Sequence, residues 1–291
     1  MNKLTITDGN NRFEIQMENK KYIIGKNVKK KRKLELMIKQ FFQKTESEYR
    51  CEYNFETKLL LNDEIMNCKR MLFLEISPYY SLCEDCKLNS KSLVLKYLEK
   101  KLQNQEYFDT INTLDILFKS FAEELNDDNL NILFHEMNVK QLLKILEVYF
   151  NDDMQKDEFD LSYEEIIRLQ IHLINEIIVN TEDKDAIVVL ANIPFITDEL
   201  LDELKHTNHT FYFIFTNNYC NKMKIEEVML SEKEFYDLAD VNSIFYNIEE
   251  MYNIIQQVEV LKENMKNFVK QNYMYNEINV INELAHFSKN S

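Results

Sequence analysis

Glycine is nearly absent. Only Gly9 and Gly25 occur in 291 residues, where average usage gives about twenty. The two lie too far apart for the G-x-G-x-x-G of a dinucleotide fold. Neither has a second glycine five residues away, so an intact phosphate loop of the G-x-x-x-x-G-K-[ST] type is excluded. Positive charge is also in the minority. Against 50 Asp and Glu stand 35 Lys and Arg, a net charge of −15. That balance argues against indiscriminate binding to nucleic acid or anionic membranes and leaves room for a locally basic site. No apolar run of about eighteen residues exists, so no membrane-spanning helix is expected. The first eleven residues lack the apolar stretch of a signal peptide. Five cysteines, an odd number, suit a reducing compartment, and a cytoplasmic protein without a membrane partner is expected.

What is present fits a globular chain with a real core, with 45% apolar and 29% charged residues. Leu4 to Ile6 and the alternating Phe13, Ile15 and Met17 read as strands joined by the turn Asp8-Gly9-Asn10-Asn11, a β-hairpin. Tyr22-Ile23-Ile24 is a third strand, followed by a basic stretch that runs into Leu34, Met37, Ile38 and Phe41 at helical spacing. Residues 58–61 and 71–76 read as strands, the second stopped by Pro78. Residues 90–125 read as two helices forming an arm, and 138–146 and 162–178 as further helices. The last of these opens on a Ser162/Glu165 capping box. The apolar runs 186–191 and 209–215 read as strands buried on both faces. Between them lies a helix capped by Thr197, so this part is a βαβ unit with parallel strands. From Ser231 onward the pattern reads as almost wholly helical, with one long helix over 243–271. There is no internal repeat and no Pro- or Ser-rich linker.

Four constellations carry chemistry. Lys20, Lys21, Lys26, Lys29, Lys30, Lys31, Arg32 and Lys33 place eight of the 35 basic residues in a short stretch at a helix start, where backbone N–H groups and the helix dipole favour anions. This is either a solvated charge run or a phosphate-binding site. If Gly25 is the first glycine of a phosphate loop, Lys30 falls at the second glycine, Lys31 at the lysine and Arg32 at the metal-binding hydroxyl. The loop's ATP chemistry is then lost, and no ATP is expected. Further on, Val188 to Pro194 resembles the strand that ends in Asp-Glu-Pro in ABC-type and chromosome-maintenance-type ATPases. Asn192 and Ile193 replace the two acids, and an isoleucine takes no proton from water. Asn217 stands where that family has a histidine. The alternative is an ordinary βαβ unit.

The Cys83-Glu84-Asp85-Cys86 motif could join Cys51 and Cys68 around zinc, but the wide gaps do not fit paired ligand spacing. The acidic neighbours would raise the thiol pKa and disfavour redox work. Inert cysteines come first. Glu123, Glu124, Asp127 and Asp128 cluster where the helical arm ends, either a Ca²⁺ site or a solvated loop. The histidines show no ligand spacing, and no catalytic residues can be named.

These segments together are similar to the Csn-two family, the DNA-end-binding spacer-acquisition proteins of type II-A CRISPR systems, in its long subfamily. The resemblance spans residues 1–230 and rests on 20–42, on the helical arm and its return, and on 187–204 and 209–218. It implies an α/β fold: a degenerate ABC/chromosome-maintenance-type ATPase-like head with a mixed sheet (1–87 and 130–230), a helical leg (88–129) and a helical C-terminal extension (231–291). It implies a non-enzymatic, sequence-independent protein that binds double-stranded DNA ends as a homotetrameric ring in spacer acquisition. CRISPR integrase proteins and the effector nuclease of the locus would be partners. Lys26, Lys29, Lys30, Lys31, Arg32 and Lys33 match the channel residues. Glu123, Glu124, Asp127 and Asp128 match the calcium carboxylates. The rival readings are a nucleotide-binding switch with a remodelled loop and a helical protein-interaction scaffold.

Overall fold

The computed structural model describes residues 2–42, 57–150, 158–182, 184–254 and 257–275. In chain order the strands and helices are β1 (Asn2–Thr7), β2 (Arg12–Met17), β3 (Lys20–Ile24), α1 (Val28–Phe42), β4 (Lys58–Leu61), β5 (Glu64–Ile65), β6 (Met71–Ile76), α2 (Leu82–Asp85), α3 (Leu93–Leu102) and α4 (Gln105–Glu124). There follow α5 (Val139–Leu143), α6 (Tyr163–Val179), β7 (Ala186–Asn192), α7 (Asp198–Glu203), β8 (Thr210–Phe215), β9 (Val228–Ser231), β10 (Phe235–Asp237), α8 (Val241–Tyr252) and α9 (Val258–Tyr273). The class is α/β with mixed strand pairing. Among the described residues no helix is long and apolar enough to cross a membrane.

The described residues divide into two compact units. The first takes those of 1–66, 192–201 and 212–291. Its β1 and β2 form the expected hairpin, Thr7 opposite Arg12, and Asp8 closes the turn by accepting the N–H groups of Asn10 and Asn11. β4 extends this sheet antiparallel to β1, and β5 follows β4. A second set of strands runs β10-β9-β3-β8, with β3 parallel to both β8 and β9 and β10 antiparallel to β9. Helix α1 covers its core with Leu34, Met37, Ile38 and Phe41, a stripe at helical period. The second unit takes the described residues of 67–191 and 202–211. β6 and β7 pair in parallel from Met71 opposite Ala186 to Ile76 opposite Ala191. Helix α6 buries Ile167, Ile171, Ile174 and Ile178 and starts on the Ser162/Glu165 capping box. Helix α4 is different: it buries only Ala122 and leaves Ile116, Leu117 and Phe121 more than half exposed.

Three expectations differ from the structure. The region after Ser231 does not begin as helix. Ser231 ends β9 and Phe235 to Asp237 form β10, because β3, two hundred residues earlier, supplies the pairing edge for β9. The long helix over 243–271 is two helices. Asn253 takes a left-handed conformation (φ 54°) and ends α8 with its N–H on the Glu249 carbonyl, a standard C-terminal stop for Asn. The expected helix over 138–146 is shorter, Val139–Leu143. The expected helix to residue 291 lies outside the described residues beyond 275.

Candidate nucleic-acid interface

The basic segment lies wholly in the first unit, where β3 passes into α1 through Gly25, Lys26 and Asn27. Three residues are all that separate strand from helix, and they are tied to the end of β9. Asn27 donates its N–H to the Ser231 carbonyl (3.0 Å) and its side-chain amide to the Glu232 carbonyl (2.8 Å). The Asn27 side-chain oxygen caps α1 by accepting the Lys30 N–H at 3.1 Å. Lys26 N donates to Glu232 Oε1, Val28 N to the Lys26 carbonyl and Lys31 N to the Asn27 carbonyl. The N–H groups of Lys26, Asn27, Val28, Lys30 and Lys31 thus already have protein acceptors.

The lysines divide by environment. Lys31 turns inward and is 9% exposed. Its ammonium donates to Asn217 Oδ1 (2.9 Å) and to the Thr216 carbonyl (3.3 Å), and burial lowers its pKa against the opposing pull of Glu232. Asn217 therefore helps to hold Lys31 in place. Lys21 is fully buried. It pairs with Asp237 and donates to the carbonyls of Gln16 (2.8 Å) and Glu226 (3.0 Å). It belongs to the core, not to a binding surface. Lys30 bonds Glu234 at 2.7 Å and lies 5.9 Å from the Phe235 ring centre. Arg32 pairs with Glu35 at 2.8 Å and Lys33 lies 3.9 Å from Asp8. Lys26 and Lys29 are exposed, and their side chains make no ion pair among the described residues. Exposed pairs such as Lys30–Glu234 are worth little, so phosphate could displace those carboxylates. Lys31 could not turn outward without leaving the buried Thr216 carbonyl unpaired, whereas the exposed Asn217 amide would regain water.

Sequence reasoning missed Glu232 and Tyr273. Tyr273, 8% exposed near the end of α9, donates its hydroxyl to Glu232 Oε1 at 2.5 Å, the same oxygen that takes the Lys26 N–H. Its carbonyl accepts the Tyr219 N–H at 2.8 Å, so α9 is fastened beside the basic loop. Burial works to raise the Glu232 pKa, but the Tyr273 and Lys26 hydrogen bonds and the charges of Lys26 and Lys31 outweigh it and hold the carboxyl below its ordinary value. A depressed carboxyl contributes stability above its unfolded pKa and loses it as pH falls through the folded value. The protection factors of the α9 amides, taken against the intrinsic exchange rate at each pH, should therefore fall as pH drops below about 4.5, and more steeply in the wild type than in Glu232→Gln. Equal acid sensitivity of the two would refute this fastening.

The other predicted positions stay apart. Glu123, Glu124, Asp127 and Asp128 are exposed at the end of α4 and in the turn after it. Asp127 accepts the N–H groups of Asn129 and Leu130, both at 2.7 Å, which closes that turn. Among the described residues no three His, Cys, Asp or Glu side chains come together to hold a metal ion. Glu123, Glu124, Asp127 and Asp128 form no such group as arranged. Cys51 lies outside the described residues; Cys68, Cys83 and Cys86 form no disulfide, and burial and then Asp85 push the Cys86 thiol pKa up.

The fold is similar to that of Stu0660 of Streptococcus thermophilus. The crystal structure of that protein matches with a TM-score of 0.62 at 14% identity, over 98% of this chain and 99% of the other. No family model matches the chain and no curated protein matches its sequence.

Proposed function

We propose that the chain is a non-enzymatic protein that binds double-stranded DNA ends without reading sequence, as a homotetrameric ring in CRISPR spacer acquisition. The observation that carries this reading is the end-to-end likeness to Stu0660, a Csn-two protein of a type II-A system. It meets the independent resemblance of residues 20–42, 187–204 and 209–218 to the same family. The head is read as an ATPase-type core emptied of its chemistry. The hydrogen-bonded N–H groups of Lys26 and Asn27 and the tethered Lys31 disfavour the nucleotide switch. Lys26 and Lys29, with Lys30, Arg32 and Lys33 after exchange of surface carboxylates, are the phosphate contacts. The exposed Ile116, Leu117 and Phe121 of α4 suit self-assembly. CRISPR integrase proteins and the effector nuclease are the proposed partners.

Phosphate contacts without base readout give affinity that falls with salt. With five cations per chain engaged, the log–log slope should reach about −4.5 per chain. Titration of linear duplex at several salt concentrations, with light scattering to weigh the assembly, tests this. Absence of duplex binding at low salt would favour the scaffold reading, and saturable ATP binding the switch.

A further inference from the structure

A cavity of about 530 Å³ opens in the first unit beside the start of α1, within the size range of small-molecule pockets. Phe13 of β2 and Phe235 and Tyr236 of β10 line it. Phe13 meets Phe235 edge-on, ring centres 5.2 Å apart. Lys30, one of the basic residues of the interface, forms part of the same wall. The remaining charged lining is mostly acidic, and most of that charge is answered locally. Glu14 pairs with Lys3 and Arg12, Glu234 with Lys30, and Asp237 with Lys21. Asp240 accepts the Ser243 N–H at the start of α8. Such a wall repels phosphate. It offers aromatic surface and carboxylate acceptors, which suits a flat neutral ring bearing an amino group.

We propose that this cavity receives an unpaired terminal base of a bound duplex, a proposal that rests on the DNA-end reading above. The base stacks against the aromatic wall and its exocyclic amino group donates to a carboxylate. The neighbouring phosphates stay outside with Lys26 and Lys29. Adenine, cytosine and guanine carry such an amino group and thymine does not, so a thymine overhang should gain little.

The test uses duplexes that are blunt or carry one unpaired 3′ 2-aminopurine, cytosine or thymine. Anisotropy reports duplex binding and 2-aminopurine fluorescence reports stacking. The expected result is quenching on binding and about fivefold tighter binding of the aminopurine and cytosine duplexes than of the blunt one. Ser243→Phe, placed on the cavity wall, should erase both effects and leave blunt-duplex affinity unchanged. Asn247→Phe on the same wall serves if that variant melts early. Normal anisotropy titration without quenching, and with equal affinity for all ends, overturns the cavity assignment and leaves the DNA reading intact. Failure to bind any duplex overturns both.

Discussion

Replacing Gly25 with alanine should cost the protein at least about 4 kcal/mol, a large share of the stability of a typical domain. A Cβ at this position would lie 2.4 Å from the Ser231 carbonyl oxygen, 2.8 Å from its nitrogen and 2.9 Å from its carbonyl carbon, all backbone atoms that cannot swing aside. The φ of +127° adds strain for any L side chain, about 1–3 kcal/mol. Relief would require parting β3 from β9, whose pairing brings Ile24 opposite Leu230, and would break the Asn27–Ser231 hydrogen bond. The melting temperature should fall by roughly 10 °C or more. A melt within a few degrees of the wild type would show that the loop has another conformation. Gly25 is thus kept by the close passage of a neighbouring strand, a different reason from the phosphate approach that its place in the sequence implies.

Much of the fold was legible because its signals are local. The hairpin turn at Asp8 to Asn11, the Ser162/Glu165 box and the apolar runs of β7 and β8 each specify themselves within a few residues. β9 and β10 were not legible, since four- and three-residue strands have no period of their own and exist through an edge supplied from far away in sequence. The basic site was legible as a charge cluster and illegible in its division. Lys21 and Lys31 find Asp237 and Asn217 about two hundred residues later, and no local pattern announces such partners. One signal for Lys31 was available. It lies three, seven and ten residues before Leu34, Ile38 and Phe41, on the stripe that α1 buries. A lysine in register with the apolar face of its helix is a candidate for an interior tether.

That division separates two outcomes which charge reversal of Lys29, Lys30 and Lys31 together would confound. Lys26→Glu with Lys29→Glu should cost no more than about 1 kcal/mol, since both side chains are exposed and the chief loss is the charge that Lys26 sets near Glu232. The same variant should weaken binding of linear duplex on the order of a hundredfold at low salt and reduce the salt slope by about 2 per chain. Lys31→Met should do the opposite. It strands the buried Thr216 carbonyl at a cost of about 1–3 kcal/mol, the exposed Asn217 amide being rehydrated, while the folded fraction binds duplex as the wild type does. Lys31→Glu, a carboxylate facing the buried Thr216 carbonyl, should cost more, about 3–5 kcal/mol. Thermal melts alongside anisotropy titrations read both quantities from the same samples. Unaltered duplex binding by the Lys26/Lys29 variant would move the DNA contact away from α1. Loss of binding by Lys31→Met at an unchanged melting temperature would mean that Lys31 leaves its pocket to reach phosphate, and that the Asn217 tether is a resting contact which DNA releases.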